Sequence, residues 1–252
     1  MAYNLGWLSN GSSATIDFNR ATEDPLSIGG TWTNNTQATG SNTVYGEQSS
    51  MRIIAAASGG INIASGDATG QTAPPAAADY MDSFAFLPGF SGNQRITATV
   101  YVDSGYLPTL DTHELELILG CATSSGSGGN GEHKWIECGW SRTGDRFIAT
   151  FGSGTSGSYP GSPNDFLILS PTDSGYGFAT PFVNGDVWRA DFNRSTSTVT
   201  TYLNGNLVFT IIDATNFAGM GDGVGIAMFR RTANAETASN RYGVKNVTIT
   251  SF

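Results

Sequence analysis

Apolar residues recur at every second position along much of this chain, and no long stretch shows the three-and-four spacing of a helix. The segment Gly185–Thr210 carries the pattern most clearly. Trp188, Ala190 and Phe192 fall on one face of an extended strand. In the next strand Val199, Thr201 and Leu203 share a face, with Thr198, Thr200 and Tyr202 opposite. Asn204-Gly205 follows at once, and a type I′ hairpin turn needs positive φ at both central residues, which Asn and Gly accept most readily. The same alternation predicts strands over Ala14–Phe18, Ser50–Ala56, Asp82–Leu87, Arg95–Val102, His113–Cys121, Lys134–Ser141 and Arg146–Phe151. It continues over Val187–Phe192, Thr198–Leu203, Leu207–Ile212, Val224–Phe229 and Tyr242–Phe252. Gly, Pro, Asn and Asp punctuate the gaps, and Asp213 is placed to cap one helical turn over Asp213–Phe217. Many short strands between frequent turn signals predict an all-β sandwich or barrel.

Two long segments break the rhythm. Ser58–Ala78 is rich in Gly, Ala and Pro, and Gly152–Ser174 in Gly, Ser and Pro. Strand patterning resumes after each without a change in composition, so neither marks a domain boundary. The expected organisation is an N-terminal docking segment over residues 1–13 and one sandwich domain over residues 14–252, a size one β-sandwich can fill.

Several motifs carry a family resemblance. Ile16-Asp17-Phe18-Asn19-Arg20-Ala21, then Pro25-Leu26 and Gly30-Thr31-Trp32, resemble the opening of laminin-G-like or concanavalin A-like jelly rolls of the kind found in bacteriophage virion proteins. The Trp188 strand with Tyr202-Leu203-Asn204-Gly205 is similar to that family's hairpin. Gly223-Val224-Gly225-Ile226 and Gly243-Val244-Lys245-Asn246-Val247 are similar to its last two strands. These matches run in order over nearly the whole chain; the longer spacer before Trp32 and the extended Ser58–Ala78 segment depart from the pattern. The resemblance implies a two-sheet antiparallel jelly-roll sandwich, concanavalin A-like. It does not choose among lectins, glycanases and scaffolds, all of which this fold hosts.

Charge narrows the partners. Only 13% of residues are charged, against about 25% in typical domains, and the net charge is −9. Nucleic acid and anionic membrane are poor partners for so acidic a chain. No apolar run reaches the roughly 20 residues that span a bilayer, and the first residues lack the pattern of a secretory signal. The Asn-x-Ser/Thr sequons at Asn10, Asn34, Asn193 and Asn246 then read as accidents of composition. Cys121 follows the parity of Leu115, Leu117 and Leu119, and Cys138 that of Ile136 and Trp140. Both read as reduced thiols packed like small hydrophobes.

The sharpest chemical candidate is Asp111–Leu117. Glu114 and Glu116 point to one face of its strand, Leu115 and Leu117 to the other. The resemblance implies a comparison with laminarinase-type glycanases, which carry an alternating E-x-D-x-E strand. Here the order runs Glu114, Glu116, Ile118, so the third acid is missing, and the favoured reading is a solvated sheet face. No catalytic residue is assigned. His113 and His133 have no nucleophile elbow beside them, and Asp67 and Asp222 sit in ordinary Gly-rich turns. No metal site or cofactor is expected. Trp7, Tyr106, Trp135 and Tyr159 are the aromatics least suited to a core by position, serving either as sugar platforms or as subunit contacts. Ligand contact is therefore assigned to Glu114, Glu116, Trp135 and Tyr159.

These observations lead to three expectations. The first is a non-enzymatic bacteriophage virion protein, a capsid-decorating or tail-associated subunit that is made in the host cytoplasm, docks on other virion proteins and forms a homo-oligomer. The second is a carbohydrate-binding module that holds surface glycans. The third is a divergent glycanase that uses Glu114 and Glu116.

Overall fold

A computed structural model describes residues 12–19, 33–34, 48–50, 52–55, 62–65, 80–103, 114–123, 133–141, 146–151, 166–168, 181–231 and 242–252. The strands in chain order are β1 (Ser13–Asp17), β2 (Thr33–Asn34), β3 (Gln48–Ser50), β4 (Arg52–Ala55), β5 (Asn62–Ser65) and β6 (Tyr80–Leu87). They continue as β7 (Gln94–Val102), β8 (Glu114–Thr123), β9 (His133–Ser141), β10 (Arg146–Phe151) and β11 (Phe166–Ile168). The last five are β12 (Val187–Asn193), β13 (Thr198–Leu203), β14 (Asn206–Ile212), β15 (Gly223–Arg231) and β16 (Tyr242–Ser251). They form two eight-stranded sheets. The first runs β14-β13-β12-β7-β16-β5-β4, with β1 on β16; the second runs β11-β10-β9-β8-β15-β6-β2, with β3 on β6. All pairings are antiparallel except β3 with β6, which is parallel.

Alternation builds the core between the sheets. Ile96, Ala98 and Val100 of β7, with Trp188, Ala190 and Phe192 of β12, face Leu115, Leu117 and Leu119 of β8 and Ile136 and Trp140 of β9. Trp140 lies 5.5 Å from both Trp188 and Phe182, centroid to centroid. Trp188 Nε1 donates to the Cys138 carbonyl at 3.2 Å, so the buried indole keeps its hydrogen bond across the sandwich. Asn204 and Gly205 have φ of 50° and 81°, as a type I′ turn requires. Asn204 Oδ1 also accepts from the Val187 N–H at 2.8 Å and its Nδ2 donates to Asp186, which ties the turn to the start of β12. The expected turn after β14 is present: the Phe217 N–H donates to the Asp213 carbonyl, and the Asp213 carboxylate accepts from the Thr215 and Asn216 N–H groups.

Some sequence expectations need correction. β5 and β11 stand inside segments read as loops, and β2 was not expected. Ser13 opens β1, and Ser12 exchanges hydrogen bonds with Ser251, so these two residues belong to the sandwich. Residues 1–11 lie outside the described residues. Cys121 leaves the parity of Leu119 because β8 carries a bulge between Leu119 and Ala122. Gly120 has φ of 62° there, and a Cβ on it would stand 2.7 Å from Met220 Cβ, so the bulge depends on glycine.

A buried polar clasp holds this end of the sandwich. Gln94 on β7 donates to the Phe90 carbonyl and accepts from the Gly120 N–H, both at 2.7 Å. The Arg194 guanidinium donates to the carbonyls of Gly92, Met220 and Gly221. Asp222 accepts from the Gly89 N–H through its carboxylate and from the Phe90 N–H through its carbonyl, so it ties two segments distant in sequence where only a local turn was expected.

Candidate functional site

The second sheet has two buried faces. One is the core; on the other, Phe86, Ile118, Cys121, Trp135, Ala149 and Ala227 form a separate apolar cluster. The acids stand beside it. Pairing of β8 with β9 sets Glu137 opposite Ile118, and Gly139 opposite Glu116. Pairing of β8 with β15 sets Ala227 on the other flank of Glu116. Neither Gly139 nor Ala227 offers a bulky side chain, so Glu114 and Glu137 can close on Glu116. Carboxylate oxygens of Glu114, Glu116 and Glu137 all lie within 4.8 Å of one another. Glu114 is half-buried, while Glu116 and Glu137 are only 4% and 6% exposed.

The reading of Glu114 and Glu116 as a solvated face is thus corrected for Glu116. Trp135, assigned from sequence as a ligand contact, is 2% exposed and lies in the apolar cluster on the same face as the acids. Its burial removes it as an open sugar platform. Tyr159, Trp7, Tyr106, His113 and Asp67 lie outside the described residues. Glu137 was missed. Its signal was a lone acid in an apolar strand, at the same parity as Trp135. It fills, from the neighbouring strand, the place opposite Ile118 where the third acid was absent.

Three carboxylates so close repel one another, and burial of two of them adds a desolvation cost. Such groups accept hydrogen bonds only, so the arrangement suits a ligand dense in hydroxyl donors, or a hard cation. Bound through one oxygen each, the three side chains would leave the remaining positions of a hard cation to backbone carbonyls or water. The thiols are inert by contrast: burial raises Cys121 and Cys138 far above the ordinary thiol range.

The outer face of the first sheet is built differently. Arg95 grips Asp191 through two hydrogen bonds of 2.7 Å, and Arg189 reaches the same carboxylate at 3.1 Å. The Arg189 guanidinium lies 3.7 Å from the centroid of the Tyr202 ring. Threonine pairs Thr15–Thr248 and Thr200–Thr210 link neighbouring strands.

No protein-family model matches this sequence, and no curated protein matches it. Solved structures do match in fold. The CBM2 module of the evolved Dit of Lactobacillus casei BL23 phage J-1 aligns with a TM-score of 0.52 and 13% identity, over 96% of this chain and 97% of that one. An endo-1,3-beta-glucanase from Streptomyces sioyaensis aligns with a TM-score of 0.51 and 12% identity, over 99% of both chains. The beta-porphyranase BpGH16B of Bacteroides plebeius aligns with a TM-score of 0.51 and 9% identity, over 97% and 93%. At these identities the likeness is one of architecture, and the architecture is that of a concanavalin A-like jelly-roll sandwich.

Proposed function

We propose that this protein binds carbohydrate, without cleaving it, on the second face of the sheet that carries Glu114, Glu116 and Glu137. The convergence of the three carboxylates carries this reading. Carboxylate oxygens gathered on one face of a sheet are acceptors to which sugar hydroxyls can donate. The apolar cluster beside them supplies the non-polar side of such a site. Likeness in fold to a carbohydrate-binding module and to glycanases is compatible with it. Binding is preferred to hydrolysis because the alternating acid series on β8 stops at Ile118; half-buried Glu114 is the acid a ligand reaches first, with Glu116 and Glu137 behind it. The acids nonetheless stand near the about 5–5.5 Å spacing of retaining glycosidases, so the test must report cleavage as well.

The test is a glycan array followed by isothermal titration, with reducing-end release measured in parallel. Binding without release, lost in Glu116→Gln and Glu137→Gln, is the expected result. Folded wild type that binds nothing would remove the proposal; release of reducing ends would turn it into a glycanase.

A second reading concerns location. Full-length likeness in fold to a module of a phage protein, together with the sequence resemblance above, favours a virion subunit that is held by other virion proteins. It is compatible with glycan binding. Mass spectrometry of purified particles tests it, and absence of the chain from them counts against it.

A further inference from the structure

The edge strands of the two sheets differ in ways that matter for assembly: besides the four path ends, β1 has five residues ending in Asp17 and β3 has three. β2 has two residues and β11 has three. β4 has four, beginning with Arg52. β14 has seven, Asn-Leu-Val-Phe-Thr-Ile-Ile, and no charge. Among the described residues no strand lies beyond β14. Leu207 and Ile212 on it are 60% and 74% exposed. Edge strands ordinarily carry Lys, Pro or a bulge that turns other strands away. β14 has its irregularity at one end, where Thr201 and Tyr202 face Phe209 and Leu207, and the remaining run Phe209–Ile212 is regular.

We propose that β14 is a docking edge for a second copy of this chain, paired antiparallel about a two-fold axis near Thr210. The outer backbone groups of an exposed edge strand bond water in the free protein and can bond an added strand instead, so extended chain is the occupant that fits them. Three features select a second copy. The edge is neutral in a chain of net charge −9, so two copies meet here without opposing charges. The one carboxylate at its end, Asp213, is held back by the Thr215 and Asn216 N–H groups and the Asn216 amide. The strand is also self-complementary. A two-fold at Thr210 sets Phe209 across from Ile211 of the partner subunit, two residues on the core face of the strand. Val208, Phe209 and Ile211 pack against the core of their own sandwich, so the pairing would prolong the apolar layer from one copy to the next. It leaves the carboxylate face of the other sheet untouched.

A contact this size belongs to the weaker class of interfaces, so the test is sedimentation velocity at about 100 μM protein. Wild type is expected as a dimer. Thr210→Lys with Ile212→Lys, both at exposed positions, sets two ammonium groups against each other on the axis and is expected as a monomer with unchanged circular dichroism and unchanged glycan response. In Thr210→Cys the two thiols meet across the axis at about 4.5–5.5 Å between Cα atoms, within disulfide range, so mild oxidation should cross-link it. Cys121 and Cys138 are buried and do not compete. A monomeric wild type, a lysine variant that stays dimeric, or a Thr210→Cys protein that fails to cross-link each overturns the proposal.

Discussion

The two sheets expose opposite solutions to the same problem. Each alternates side chains between the core and a second face. On the first sheet that second face is wet over most of its described length, where threonines bond across strands and Arg95, Asp191, Arg189 and Tyr202 form a surface ladder; only Tyr101, at the end of β7, is enclosed among the described outward residues of that strand. On the second sheet it is dry, with an apolar cluster and two nearly enclosed glutamates. A face that only had to be soluble would resemble the first. The difference teaches that the second sheet is organised around something other than solvation, and it places the functional question on β8 and β9.

Substitutions rank the two faces. Trp188→Ala, in the core they share, sets the scale with an expected loss of about 3–5 kcal/mol in denaturant unfolding. Ile118→Ala should cost about 2–4 kcal/mol, because its side chain is enclosed on the dry face. Thr97→Ala, on the wet face, should stay within about 0.5 kcal/mol. Equal costs for Ile118→Ala and Thr97→Ala would erase the distinction drawn here. Glu116→Gln keeps the size of the side chain while removing one of the three clustered carboxylates, and should abolish glycan binding without changing the circular dichroism. A destabilised Glu116→Gln protein would mark the acids as structural partners instead. Arg95→Ala is comparably small: the Arg95 side chain is 39% exposed, so losing its pair with Asp191 should cost about 0–1 kcal/mol, and less at high salt.

Local order was legible in the sequence, and distant pairing was not. Strands β7, β12 and β13 and the Asn204-Gly205 turn follow from alternation and from backbone preference, both of which act over a few residues. The short strands β2, β5 and β11 exist because long neighbours offer them an edge, and their own sequences hold too few alternations to announce it. Cys121 was assigned the wrong face because one bulge, at Gly120, reverses parity beyond it. For the site, Glu114 and Glu116 were readable as a pair on one face. Glu137 was not, because its place depends on the register between β8 and β9, which no local pattern encodes. The burial of Trp135 was hidden for the same reason.

The most direct test maps a bound oligosaccharide onto the two faces by amide chemical-shift perturbation. The account predicts shifts concentrated on β8 and β9 around Glu116, Trp135 and Glu137, with β7 and β12 unchanged. Shifts centred on Arg95, Arg189 and Tyr202, leaving β8 and β9 silent, would contradict it.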